Sequence, residues 1–420
     1  MGFSSQDDLV SEVTVQSKFN RIDWTKQTDA GWTATIGRWY DMNTMNGNPM
    51  NVEYGNIVVN GNFNGSIWNW TANGTNWVYG TNTAVKTSGT ATTFSSDSVY
   101  IPVVAGRYYR VQYTLAWTSG TCTVSVGGTA GTGRGANGTF VEVLTATNTN
   151  GIVFTAAAST NVFTISAVSV VEWGTSSGTL TSSAQIITNT NCQGFPWHGG
   201  DVSTDTKHLL NMGAVSAVAT SVPGVLYLCD FLLVYPFLDA ASSTAQTLYN
   251  NNTLPRYTDG KGVRAFAIAQ TGLGANAHNI TINYTRATTG GTDTGRVMPV
   301  TVAGTASAIK GHITHAGVAA NNYGPFLPLA AGDLGVKSVQ EWKLSAATAT
   351  ANTYHALVLC KPLAALPITT ASVMSERDFL NQIPSLPKIE DGAALGFLFF
   401  AGAALAASSN IYGYIESAWG

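Results

Sequence analysis

Between Tyr108 and Trp117 the chain alternates without a break. Tyr109, Val111, Tyr113, Leu115 and Trp117 fall on one side of an extended backbone, and Arg110, Gln112 and Thr114 on the other. A period of two marks a strand with one face in a core and one face in water. Shorter runs of the same kind recur, rich in Val, Ile, Thr, Tyr, Phe and Trp and separated by Gly, Asn, Asp, Ser and Pro. From 56 to 175 they read as Ile57–Val59, Trp68–Trp70, Asn76–Tyr79, Ser98–Pro102, Tyr108–Trp117, Thr121–Val126, Thr139–Thr145, Gly151–Thr155 and Phe163–Val171. That spacing predicts an all-β sandwich. Beyond Gly178 the strands run longer and more apolar, as at Gly224–Tyr235, Gly262–Gln270, Tyr354–Cys360 and Gly396–Phe400. Thr33–Tyr40 alternates too. Helix signals are few. Ser5-Gln6-Asp7-Asp8 reads as a capping box ahead of Leu9, Val10 and Val13. Ser375-Glu376-Arg377-Asp378 opens a second short helix through Gln382, stopped before Pro384.

The scarcity of charge narrows the function classes. Only 20 Lys and Arg and 23 Asp and Glu occur in 420 residues, against roughly 25% in ordinary domains. Disorder is excluded by the 45% hydrophobic and 10% aromatic content. The net charge of −3 supplies no basic field for nucleic acid. The longest uncharged apolar stretch, Gly392 to Ala407, is too short to span a bilayer and reads as buried strand, so no membrane role is expected. The N-terminus has neither the basic nor the apolar region of a secretory signal. Cys122, Cys192, Cys229 and Cys360 form no C-x-x-C pair, so buried thiols are expected, with no metal and no other cofactor.

Texture divides the chain. Residues 56–175 are dense in Thr, Asn, Gly and Trp, and Gly174 to Gly178 reads as an exit linker. The segment 1–55 is too short for a core of its own. The simplest organisation is a jelly-roll or β-sandwich host made of 1–55 and 176–420, with little helix, interrupted by a second β-sandwich at 56–175.

Catalytic signatures do not emerge. No nucleophile elbow, P-loop, dinucleotide fingerprint or H-E-x-x-H occurs. His312 and His315 are the closest histidine pair, but an odd spacing on a strand turns them to opposite faces. His198 and His208, near Asp201 and Asp205, read as a polar loop cluster. Asp230 lies inside an apolar strand, where a carboxylate needs a partner. Arg256 and Arg264 are the expected partners in a structural ion pair. Charge is otherwise gathered in short two-sign tracts, Arg256 to Lys261 with Asp259, Glu376-Arg377-Asp378, and Lys388 to Asp391. These suit ion pairs that fix structure or subunit register.

Asn60-Gly61-Asn62-Phe63 followed by Trp70, the Tyr108–Leu115 strand after the Ala105-Gly106 turn, and Ile165 to Val170 resemble carbohydrate-binding jelly-roll modules. The resemblance covers about 115 residues. It implies a glycan platform of Trp68, Trp77 and Tyr79 with Asn73 and Asn76 beside it. The plainer expectation is that these aromatics pack in a core or a subunit contact, and Trp68 and Trp70, two apart, share a face of any strand. The family's closing strand commonly carries Asp where this chain has Ser166 and Ala167, which weakens the case for the family's structural calcium.

In the host, Gly37-Arg38-Trp39-Tyr40-Asp41, Leu254-Pro255-Arg256-Tyr257, Asn322-Tyr323-Gly324-Pro325-Phe326 and Ile383-Pro384-Ser385-Leu386-Pro387 resemble virion structural proteins of tailed bacteriophages. The resemblance implies a non-enzymatic capsid decoration or cement protein that forms a homotrimer, binds the capsid or other virion proteins, and carries its insert outward. A tail-associated receptor-binding protein gripping cell-surface glycans is the alternative. A major capsid protein and a glycan-cleaving enzyme rank lower: the first wants a long spine helix, the second a catalytic motif.

Overall fold

The computed structural model describes residues 3–28, 33–45, 47–48, 56–58, 60–63, 65–96, 103–173, 182–188, 197–219, 222–274, 276, 278–287, 292–300, 310–314, 324–348, 353–380, 386–405 and 407–420. The strand expected at Ser98–Pro102, the exit linker, Cys192 and His315 lie outside them, as do parts of the phage-like strings at 322–323 and 383–385. The chain divides into two compact units, Met1–Tyr54 with Ala184–Gly420, and Gly55–Ser183. The sequence puts the insert's second edge at 175. In the structure Trp173 bridges Ser182 and Ser183 Oγ donates to the Glu172 carbonyl, which keeps the return stretch with the insert.

The fold is all-β, with one helix among the described residues. No helix among them is long and apolar enough to cross a membrane. The insert is two five-stranded antiparallel sheets. One runs Gly138–Thr145, Tyr108–Ser119, Val162–Trp173, Thr83–Lys86, Trp77–Gly80; the other runs Thr129–Ala130, Cys122–Val126, Ile152–Ala156, Thr92–Ser96, Trp70–Ala72. Their inner faces share a core that holds Tyr109, Val111, Tyr113 and Leu115 with Val124, Phe94 and Phe154. Arg110, expected in water, is 6% exposed. The outer face beside it is closed over by Trp173, whose ring lies 5.9 Å from the guanidinium. Asn60-Gly61 acts structurally: the Asn60 amide donates to the Ser66 and Trp68 carbonyls, and a Cβ on Gly61 would overlap the Val168 carbonyl.

In the host unit one sheet closes on itself. Gly224–Asp239 pairs with Tyr354–Ile368, which pairs with Arg264–Ala269, then His312–Thr314, Arg38–Asp41 and Ala394–Ala401, and the last strand returns to Gly224–Asp239. Alternation fills this six-stranded barrel with Trp39, Cys229, Phe231, Phe266, Ile268, Ile313, Val358, Cys360 and Leu398. Strands buried on both faces read as continuous apolar runs rather than alternating ones.

Two further sheets cover the barrel. A six-stranded sheet runs Ser375–Asp378, Lys207–Ser216, Asn410–Trp419, Phe19–Thr28, Gly47–Asn48, with Lys388–Ile389 also on Lys207–Ser216. It sets Leu209, Met212, Ile411 and Ile415 against Leu226, Leu366, Phe397 and Phe399. A four-stranded sheet, Gln246–Thr247, Val336–Leu344, His278–Arg286, Thr292–Val300, packs Ile282, Val339 and Trp342 against Tyr235, Ala267 and Leu357.

The N-terminal helix forms as its cap predicts: Gln6–Thr14 begins behind Ser5, whose hydroxyl accepts from the Asp8 amide, and Leu9 is buried. The second helix does not form. Ser375–Asp378 is a strand paired with Asn211–Ala214, so tertiary pairing overrides a local capping pattern. The strand expected at Thr33–Tyr40 starts only at Arg38, leaving Ile36 60% exposed.

Candidate functional site

The structure separates the aromatic residues expected to stack on sugar. Trp77 is 3% exposed, stacked on Phe94 at 4.9 Å and edge-on to Phe163. It fills the insert's core and presents no face to a ligand. Trp70 is core as well. Trp68 is 44% exposed. The two do not share a face, because pairing starts at Trp70 and Asn69, at φ 64°, turns the chain just before it. Tyr79 is 41% exposed, and its hydroxyl accepts from the Asn82 amide. Asn73 is exposed, while Asn76 donates to Thr90 at 3.3 Å. What remains exposed of the platform is Trp68, Tyr79 and Asn73.

Asp230 is fully buried on the barrel wall. Arg256 Nε and Nη2 reach its two oxygens at 2.8 and 2.7 Å, Nη2 also donates to the Phe231 carbonyl at 2.9 Å, and the Ala394 amide donates at 3.0 Å. Burial pushes the Asp230 carboxyl above its ordinary value, and Arg256 pulls it back. A two-pronged guanidinium–carboxylate contact is among the strongest hydrogen-bonded pairs, and here it pins the 254–257 loop to the barrel. Arg264, the other expected partner, lines a cavity of about 400 Å³ instead, with Phe326, Leu327, Pro328 and Pro362.

Other cations lie close to Arg264. Lys361 Nζ donates to the Lys261 carbonyl at 2.9 Å and stands 5.3 Å over the Tyr257 ring. Burial lowers the Lys361 pKa, Asp259 partly offsets this, and the Arg264 charge adds a smaller lowering. Lys337 lies against Gly260. Asp259 is the acid among them and pairs with Lys261 at 3.3 Å.

The Glu376-Arg377-Asp378 tract is the edge of the six-stranded sheet. Register sets Arg21, Glu416, Asn211 and Asp378 in one row on the sheet's outer face, and Asp23, Tyr414, Gly213 and Glu376 in the next. Arg21 contacts Asp23 and Glu416, each at 3.2 Å, and its guanidinium lies 4.0 Å over the Tyr414 ring. Tyr414 donates to Glu376 at 2.6 Å and accepts from Asn211 at 3.1 Å. Its pKa is pushed up to about 12 by burial and by Glu376. The ring rests where a Cβ on Gly213 would sit. Arg377 turns to the other side, donating to the Ala365 carbonyl and covering the Phe379 ring.

The histidines serve structure. His198 is buried with Nε2 3.6 Å from Asp201, His208 packs near Phe3, and Asp205 pairs with Lys18 instead. His312 lies against Tyr40. The sequence does not single out the His278–His355 contact, ring centroids 5.6 Å apart, with Trp342 over His355. Nor does it reveal the buried Lys207, whose ammonium donates to the carbonyls of His198 and Gly200. A polar residue at an inward strand position is the only signal available for either. Cys122, Cys229 and Cys360 are free buried thiols. Among the described residues no group of three or more His, Cys, Asp or Glu is placed to hold a metal ion. No family model matches the chain, and no curated protein matches it.

Proposed function

We propose that this chain is a non-enzymatic structural protein of a tailed-phage particle, most closely a capsid decoration or cement protein. Its host unit associates with further copies and binds the capsid, and its insert is carried on the outside. The observation that carries the reading is the surface of the host unit. It is poor in charge, yet it leaves Trp197 60%, Val15 71%, Val373 55% and Leu334 49% exposed. A lone protein of low net charge with such side chains in water is prone to associate, and Trp is a favoured interface anchor. The phage assignment rests on the resemblance of the host strings. Mass spectrometry of purified virions, with copy number counted against the major capsid protein, tests it. A copy number that follows capsid symmetry supports the reading, and absence from the particle sinks it.

The exposure of Trp68 and Tyr79 favours a second reading, in which the insert grips host glycans. Glycan-array binding by the full chain that is lost in Trp68→Ala and Tyr79→Ala supports it. No binding removes it.

A further inference from the structure

In a chain with so few charges, two places on the host unit concentrate them with opposite sign. The first is a cationic patch beside the cavity: Lys361 lies near Arg264 and the Lys261 carbonyl, Lys337 lies against Gly260, and Asp259 pairs with Lys261. Apart from Arg264 the cavity wall is apolar, with Phe326, Pro328 and Pro362, and Leu334 is 49% exposed. The Gly262 amide donates to the Leu334 carbonyl, which ties the Leu334 backbone to the Lys261 turn. The second is the outer face of the six-stranded sheet, where Asp23, Glu376, Asp378 and Glu416 are offset by Arg21. At its edge the apolar side chains Val373, Met374 and Leu380 are 55%, 39% and 38% exposed.

We propose that the cavity and the lysine patch beside it receive the sheet edge around Ser375–Asp378 of a second copy of this chain, so that copies join head to tail. The inference rests on the reading that the host unit self-associates, and it names the two faces that meet. Three observations favour a second copy as the occupant. The faces carry opposite excesses of charge, cations around Lys261 and acids around Glu376. Each presents apolar side chains among its charges, so Met374 or Leu380 meets an apolar wall while the carboxylates meet ammonium and guanidinium groups. The acidic face is also fixed before contact: Tyr414 holds Glu376, and Arg21 holds Asp23 and Glu416. Side chains held in place lose less freedom on binding. A contact between two different faces of one protein closes into a ring when its rotation permits, and cyclic trimers arise this way.

The test uses the full chain, with mass read by light scattering over a concentration series. One variant reverses the acidic face, Asp23→Lys with Asp378→Lys. The other reverses the basic face, Lys261→Glu with Lys337→Glu. Their contacts are Asp23 with Arg21, Asp378 with the Leu380 amide, Lys261 with Asp259 and Lys337 against Gly260. Each variant is expected to associate roughly a hundredfold more weakly or worse, because like charges then face each other. Mixing the two is expected to restore association as alternating assemblies with an even number of copies, since intact faces meet intact faces and reversed meet reversed, whereas a ring of three always keeps one unmatched contact. That recovery also shows that both variants fold. Asp7→Lys alters another acidic segment with exposed apolar neighbours, Val10 and Val15, and no change is expected. Wild-type oligomers untouched by either reversal, oligomers dissociated by the Asp7 change, or variants that fail to associate with each other on mixing overturn the proposed contact and leave the particle reading standing. A wild-type chain that stays monomeric at every concentration overturns self-association itself.

Discussion

Replacing Arg256 with Ala leaves the Asp230 carboxylate buried without its cation. The side chain contributes three hydrogen bonds, two to Asp230 and one to the Phe231 carbonyl, and only the Ala394 amide remains to the carboxylate among the bonds described above. Breaking one partner from a buried ion pair costs about 3–5 kcal/mol, a large share of the roughly 5–15 kcal/mol that holds a domain together. The loss also has a pH signature. Burial already raises the Asp230 pKa, and without Arg256 it rises further. A group whose folded-state pKa is raised contributes stability at low pH and loses it as pH climbs through that pKa. The deficit of Arg256→Ala is therefore expected to be larger at pH 7.5 than at pH 5. Adding Asp230→Asn to the variant removes the charge and is expected to recover much of the loss at pH 7.5. Urea titration with peptide-resolved hydrogen exchange measures both, and exchange assigns the change to the host unit. A cost below about 1 kcal/mol, or a deficit independent of pH and of Asp230→Asn, refutes the reasoning.

Three further outcomes follow from the packing. Trp77→Ala is expected to destabilise the insert by about 3–5 kcal/mol, as removal of a buried indole does, whereas Trp68→Ala stays within about 0.5 kcal/mol; hydrogen exchange of insert peptides distinguishes them. Burial and the neighbouring His278 push His355 down to about 3, so its neutral form supports the fold above the ordinary value near 6.5 and the contribution is lost as pH falls below it. The decline is about 1.4 kcal/mol per unit, and His355→Phe is expected to flatten it in urea midpoints taken between pH 7 and pH 4.5. Gly213→Ala drives a Cβ into the Tyr414 ring and is expected to cost about 1–3 kcal/mol, with the Tyr414 titration near 12 shifting in ultraviolet absorbance.

What could be read in advance was local. Ser5 caps the first helix through a residue three positions away, and Tyr109, Val111, Tyr113 and Leu115 alternate because one sheet face meets one core. Barrel closure depends on Gly224–Asp239 pairing with strands more than a hundred residues later on both of its edges. Its residues are buried on both faces, so no alternation marks which side is the lumen. Asp230 was conspicuous as a lone carboxylate in an apolar run, but which arginine reaches it was decided by the 254–257 loop. Ser375–Asp378 misled because its capping pattern is local and its pairing with Asn211–Ala214 is not. Trp68 and Trp77 looked alike as aromatics among Asn and Thr, and only the turn at Asn69 and the Phe94 stack separate surface from core.

The central claim is that this is a structural component of a virus particle. Electron cryomicroscopy of virions whose genome encodes this chain tests it most directly. The account predicts density for the barrel and its two covering sheets on the head, repeated with the capsid symmetry. Density on the tail alone, or none in the particle, contradicts it.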